Sequence, residues 1–164
     1  MFNRILLAVD GTSSGEVAVD FATALAREFD ATVRVVHVNE LIVGGRGVAY
    51  ETESEAMDVV DRSVGALRRA GIEADGVHYL VNPFAVADRI TDAGLEWGAD
   101  TIVFGSKRRS RWARFGGAGL RERVTALSGL PVLTAPAPLR LGTRAAAGEL
   151  DRAMSTVLAA PASR

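Results

Sequence analysis

Residues 4 to 38, RILLAVDGTSSGEVAVDFATALAREFDATVRVVHV, decide the fold. The opening RILLAV is short and apolar and runs at once into the turn cluster DGTSSG, which reads as a buried strand leading into a loop. Ser13 or Ser14 is placed to cap a following helix. In that helix Val17, Phe21, Ala24, Leu25 and Glu28 share one mostly apolar face. ATVRVVHV, 31 to 38, is rich in β-branched residues and reads as a second strand. A strand, a helix and a strand in succession make the unit that joins parallel neighbours, because parallel strands need a long crossover.

The alternation continues along the chain. NELIVGGRGVAYET, 39 to 52, holds three glycines and no sustained period, and reads as a mobile connection. Ser54 starts a helix whose apolar members Met57, Val60, Val64 and Leu67 recur every three or four positions, and Gly71 ends it. IEADGVHYLV is a third strand, and NPF opens a helix as proline does in a first turn. Val86, Ile90, Ala93 and Trp97 line its buried side and Gly98 closes it. DTIVFG is the fourth strand. Leu120, Val124 and Leu127 mark a short helix stopped by Gly129, and LPVLTAP, 130 to 136, is the fifth strand. Five buried strands alternating with four helices specify an α/β domain: a parallel, doubly wound sheet, helices on both faces and right-handed crossovers. Residues 1–136 form this domain. Residues 137–164 read as an extension with one helix, striped by Leu150, Met154 and Val157 or Leu158, and a disordered end.

Composition narrows the function classes. The 164 residues fit one domain, and 48% hydrophobic with 24% charged residues is the balance of a soluble globular protein. No cysteine is present, which removes disulfides and thiolate chemistry. His37 and His78 sit inside apolar runs and read as strand residues, and no metal site is expected. No apolar run approaches membrane-spanning length, and Asp10 interrupts the start too early for a signal peptide, so a cytoplasmic location is expected. The net charge of −1 hides an uneven distribution. Lys107, Arg108, Arg109, Arg111, Arg114, Arg121 and Arg123 face only Glu122 between Gly105 and Arg123, a local excess of six positive charges.

In an open doubly wound sheet the ligand crevice lies beyond the carboxyl ends of the strands, where the winding direction reverses. In a 3-2-1-4-5 strand order that point falls between strands one and four. DGTSSG and GSKRRSRWARFGGAG, 105 to 119, then face each other.

The quoted segment 4 to 38, with NPFAVADRITDAGLEWGADTIVFGS at 82 to 106 and RERVTALSGLPVLTAP at 121 to 136, resembles the universal stress proteins. The resemblance covers residues 3 to about 136. It implies a 3-2-1-4-5 parallel sheet of the Rossmann-like, adenine nucleotide alpha hydrolase-like kind, dimers joined through the fifth strand, and a stress-related regulatory role. In one branch of the family ATP is held by a loop of pattern G-x2-G-x9-G-[S/T]. Laid on this chain, the pattern finds Gly105 at its first position, Arg108 at the second glycine, Ala118 at the third and Gly119 at the Ser/Thr. Only the first is met. Asp10 and Val38, at the end of the second strand, match positions that hold the rest of the nucleotide, although an Asp there equally serves the following turn.

Arginine in place of a left-handed glycine costs about 1 to 2 kcal/mol, and a lost hydroxyl about 1 kcal/mol. An arginine paired to phosphate returns about 1.5 to 3 kcal/mol. Tight ATP binding is therefore not expected, while binding of a phosphate-bearing ligand, ATP or AMP among them, is. The expected ligand residues are Asp10, Gly11, Thr12, Val38, Gly105, Ser106, Arg108, Arg109, Gly117, Ala118 and Gly119. The alternative is a dimeric module acting through protein contacts, paired along Leu130 to Thr134, because an open sheet edge must be covered or paired. Nucleic acid would need Trp112 and Phe115 as stacking platforms, and no binding-fold signature accompanies them. Catalysis beyond slow ATP hydrolysis is not expected. VDGTS is similar to the D-x-D-G-T of aspartate-based phosphatases, but the nucleophile position is Ala8.

Overall fold

The computed structural model describes residues 2–42, 48–49, 51–105 and 119–136. Its centre is β1 (Arg4–Val9), flanked in parallel by β2 (Thr32–Ile42) and β5 (Thr101–Phe104). Beyond β2 lies β4 (Ala74–Val81), and beyond β5 lies β6 (Val132–Thr134), both parallel to their neighbours. Counting the five parallel strands along the chain, this is the order 3-2-1-4-5. A two-residue strand, β3 (Val48–Ala49), adds an antiparallel rung to the far end of β2.

Each β1 side chain after Arg4 is buried because the sheet is covered twice. Ile5, Leu7 and Val9 point to the side carrying α1 (Ser13–Phe29) and α2 (Glu53–Arg69). Leu6 and Ala8 point to the side carrying α3 (Val86–Trp97) and α4 (Leu120–Ser128). A strand buried on both faces has no polar alternation to show, which is why RILLAV reads as a plain apolar run. Each buried leucine or isoleucine contributes about 1.5–3 kcal/mol.

Several sequence-based expectations are corrected. The face α1 buries is set by Ala18, Ala22 and Ala26 with Val19, while Val17, Phe21 and Leu25 flank it half-buried and Ala24 and Glu28 are exposed. Small side chains let the helix axis approach the sheet, so the largest apolar residues are pushed to the margins. Neither Ser13 nor Ser14 precedes the helix: Thr12 does, its carbonyl accepting from the Gly15 and Glu16 amides. Helix α2 is capped by Thr52 rather than started by Ser54, in a reciprocal capping box with Glu55. Met57 and Leu127, expected inside, are 47% and 49% exposed. Residues 39 to 42, expected in a mobile connection, continue β2, with Asn39 and Glu40 paired to Leu80 and Val81 of β4.

Helix α2 packs against the sheet without room for a side chain at Gly76 of β4. A Cβ there would collide with the Val60 Cγ1 methyl and lie 2.9 Å from Val64 Cγ2 and 3.3 Å from the Val35 carbonyl. At the opposite end of the sheet from the crevice, Arg4 and Arg34 lie over the Trp97 ring at 4.6 and 5.1 Å. Arg34 also holds Asp75 through two hydrogen bonds, Nε to Oδ1 at 2.7 Å and Nη2 to Oδ2.

Candidate functional site

Val9 ends β1 and Phe104 ends β5, and since Ala8 is level with Phe104, Asp10 and Gly105 follow neighbouring strand ends one residue out of step. From there the chain turns toward α1 on one face and toward α4 on the other, so this is the reversal point of the winding. Gly11, at φ +70°, makes the turn that lets the backbone double back after Asp10, a conformation costly to any other residue. Asp10 is 5% exposed. Its Oδ1 accepts from the Thr12 amide at 3.1 Å and from the Thr12 hydroxyl at 2.6 Å. The local-turn role weighed for this aspartate is therefore real, and it also holds the carboxylate at the mouth of the sheet.

The opposite wall is built by the start of α4. Gly119 is its N-cap, with no side chain to serve the first amides. The Glu122 carboxylate folds back against Gly119, in the space a Cβ would need. Arg121, two residues into the same helix, turns inward. Its Nη2 donates to the Gly105 carbonyl, its guanidinium lies 5.9 Å from the Phe104 ring centroid, and its Nε is buried without an acceptor among the described residues. Burial pushes the Arg121 pKa down, and the nearby Glu122 and Asp10 carboxylates pull it back up. A cation in the first turn is unfavourable to the helix dipole. The guanidinium is held there by the Gly105 carbonyl.

Of the expected ligand residues, Asp10 and Gly105 lie at the neighbouring ends of β1 and β5 and Gly119 caps α4, while Gly11 and Thr12 line a cavity between α1 and α2. Ser106, Arg108, Arg109, Gly117 and Ala118 lie outside the described residues, as does the extension 137–164. Val38 is corrected: it is not at a strand end but within β2, level with Tyr79, its side chain 3% exposed in the core facing α3. Only its backbone is adjacent to Asp10, since Ala8 and Val9 pair with Val36 and His37.

A second group sits beside the mouth and was not anticipated. His37, 2% exposed, places Nδ1 2.9 Å from the Val9 carbonyl and Nε2 2.7 Å from Glu51 Oε2. Both ring nitrogens face oxygen atoms, the Val9 carbonyl and the Glu51 carboxyl group. Asn39, 5% exposed, clamps the Glu51 backbone, donating to its carbonyl at 2.7 Å and accepting from its amide at 3.1 Å. The chain returning from β3 is thereby pinned to β2 next to the end of β1. The spacing of His37 and Asn39, two apart and therefore on one face of a strand, was the available signal.

Between α1 and α2 a further cavity of about 300 Å³ is floored by Val9, Val19, Val59 and Ala66. Its charged lining is Glu16 and Asp20 against Arg62. Two carboxylates to one guanidinium make it a poorer host for phosphate than the crevice. Among the described residues no group of three or more His, Asp or Glu side chains is arranged to hold a metal, and no helix is long and apolar enough to cross a membrane.

A parallel sheet with helices on both faces and a charged crevice at its switch point defines a Rossmann-like, doubly wound α/β domain. The chain belongs to the Universal stress protein family, whose sequence model matches residues 1–136. It is 27% identical over 148 residues to the universal stress protein YxiE of Bacillus subtilis, covering 81% of this chain and 98% of that one. A universal stress protein family structure from Burkholderia pseudomallei superposes with a TM-score of 0.66 at 26% identity, covering 83% of this chain and 97% of the other. The universal stress protein of Archaeoglobus fulgidus in complex with dAMP superposes with a TM-score of 0.59 at 26% identity, covering 83% and 100%.

Proposed function

We propose that this protein is a regulatory binding protein that takes an adenine nucleotide in the crevice between the β1–α1 and β5–α4 connections, and that it signals occupancy rather than turning the ligand over. The observation that carries the reading is the buried, Thr12-fixed carboxylate of Asp10 at the switch point, set opposite the inward guanidinium of Arg121. A fixed carboxylate accepts hydrogen bonds from sugar hydroxyls or a base amino group, and a guanidinium suits phosphate. The family relative in complex with dAMP supports the ligand class. The protein acts in the cytoplasm without a resident metal.

The edge of β6 favours a second reading, which is compatible with the first. β6 pairs with β5 on one side, and among the described residues no strand pairs with the other. Val132 and Leu133 are half-buried there and Leu127 is exposed nearby. Pairing of Leu130 to Thr134 with the same segment of a second copy would cover this edge and give a homodimer acting through protein contacts.

The test is a thermal melt with adenosine, AMP, dAMP and ATP added singly, alongside native mass spectrometry of the purified protein. A ligand at a hundred times its dissociation constant stabilises the folded state by about 2.7 kcal/mol. For a chain of this size that raises the midpoint by about 5 to 10 °C. No shift at millimolar concentrations of any of the four would refute nucleotide binding. A dimer mass without retained nucleotide would leave the contact reading in place.

A further inference from the structure

We propose that the cavity between α1 and α2 is a second ligand site, one that takes a free α-amino acid with an apolar side chain, held as its zwitterion. It lies on the face of the sheet away from α4, and the proposal is independent of the nucleotide reading above.

The cavity exists because the two helices do not close on each other. The α2 positions turned toward it are Val59, Arg62, Ser63 and Ala66, at the three- and four-residue spacing of one helical face. A packed helix pair would fill such a face with large apolar side chains. Here its middle is a cation and a serine, and across from them Gly15 of α1 contributes no side chain at all. The gap left is about 300 Å³, at the small end of ligand pockets and suited to a metabolite smaller than a nucleotide.

Floor and rim differ in chemistry. The floor valines, at positions 9, 19 and 59, are buried. At the rim, Glu16 and Asp20, one turn apart on α1, put two carboxylates on one wall, and Arg62 puts a guanidinium on the other. Among the described residues Arg62 is paired with neither carboxylate, so the opposite charges stand apart instead of neutralising one another. Ser63 donates its hydroxyl to the Val59 carbonyl at 2.8 Å, and its oxygen keeps lone pairs that accept.

These features select among small molecules. A phosphate or a dicarboxylate meets two like charges. An alkylamine satisfies the α1 wall and is opposed by Arg62, while a hydrocarbon uses the floor and leaves the rim unserved. An apolar amino acid meets all three parts: its ammonium lies against Glu16 and Asp20, its carboxylate against the planar fork of Arg62, and its side chain on the valines.

The experiment titrates four probes into the isotope-labelled full chain at low ionic strength and follows backbone amide shifts by NMR. Leucine is the complete ligand, isoamylamine lacks its carboxylate, 4-methylpentanoate lacks its amino group, and glycine lacks its apolar body. Leucine is expected to bind tightest, with shifts concentrated on the cavity-facing residues of α1 and α2. Isoamylamine should bind about twofold to fivefold weaker, the span of one exposed charge contact. Glycine should bind at least about tenfold weaker, for want of apolar burial, and 4-methylpentanoate weaker than isoamylamine. Arg62→Gln should weaken leucine about twofold to fivefold without weakening isoamylamine. Glu16→Gln/Asp20→Asn should weaken both about threefold to tenfold. Ala66→Phe, which fills the cavity, should abolish binding of all four. The three rim residues are exposed, so their variants keep the fold, and Ala66→Phe is read beside its circular dichroism spectrum. No saturable leucine binding at tens of millimolar overturns the proposal, as does leucine affinity untouched by Arg62→Gln or by a folded Ala66→Phe. Isoamylamine binding as tightly as leucine overturns the zwitterion and leaves an acid-lined groove open to any amine. Shifts confined to Gly105, Gly119 and their neighbours would place leucine elsewhere and overturn the site.

Discussion

Substituting Gly76 by alanine sets two opposed effects against each other, and the structure says which prevails. Glycine in a strand costs conformational entropy, so on propensity alone Gly76→Ala should stabilise by about 0.5–1 kcal/mol. The added methyl, however, would overlap Val60 Cγ1 and crowd Val64 Cγ2 and the Val35 carbonyl. The carbonyl belongs to β2, the neighbouring strand, and cannot retreat. Both valines are less than 10% exposed and packed under α2, so they cannot swing into solvent. Overpacking of this kind costs about 1–3 kcal/mol. The net expectation is a loss of about 1 to 2 kcal/mol, a fall in melting midpoint of about 2 to 8 °C for a chain of this length. Urea melts of the wild type, Gly76→Ala, Val60→Ala and the double variant test the mechanism. Removing the Val60 methyls makes room for the new one, so the double variant should be at least about 1 kcal/mol more stable than the sum of the single losses predicts. A Gly76→Ala protein as stable as wild type, or losses that simply add, would show that helix and sheet can separate at no cost and that the close approach is not a constraint.

Asp10→Ala should remove any nucleotide-induced rise in the melting midpoint while lowering ligand-free stability by about 1 kcal/mol through its lost bonds to Thr12; a retained shift would remove Asp10 from the site. His37→Leu removes the imidazole contacts to the Val9 carbonyl and to Glu51 Oε2 and should destabilise by about 1–3 kcal/mol, read in urea melts, with His37→Leu/Glu51→Leu recovering part of it. The Arg34 guanidinium, by hydrogen bonding, holds the Asp75 carboxyl below the usual carboxylate range. Its contribution is therefore present above the unfolded value near pH 4 and disappears as pH falls through the folded value. With side chains 32% and 49% exposed, the pair is worth no more than about 0.5 kcal/mol. Wild type and Asp75→Asn should differ slightly at pH 7 and converge by pH 2.

The strand order was legible because burial on both faces leaves β1 and β5 as short apolar runs, and the edge strands β4 and β6 still stand out as apolar stretches between turn residues. What escaped was any position where a polar residue does a core residue's work. Asn39 looks like the first residue of a loop, yet it is buried because its amide replaces two missing backbone partners of Glu51, and β2 therefore runs on past it. The packed face of α1 was misplaced because alanines, weak in any hydrophobic pattern, set the distance of closest approach. At the site, Asp10 could be found because a carboxylate directly after a buried strand has few places to go. Arg121 could not: it and Arg123 flank Glu122 symmetrically, and only the helical turn that aims one at Gly105 and the other at solvent tells them apart.

The two guanidinium groups facing Trp97 give the protein a native optical reporter. This indole lies at the floor of the sheet, remote from the crevice, in surroundings that exist only while β1, β2 and α3 remain assembled. In a Trp112→Phe background it is the sole tryptophan of the chain. Its emission then follows global unfolding and stays indifferent to occupancy at the mouth, so a fluorescence change on adding ligand would mean that binding is felt across the full length of the strands.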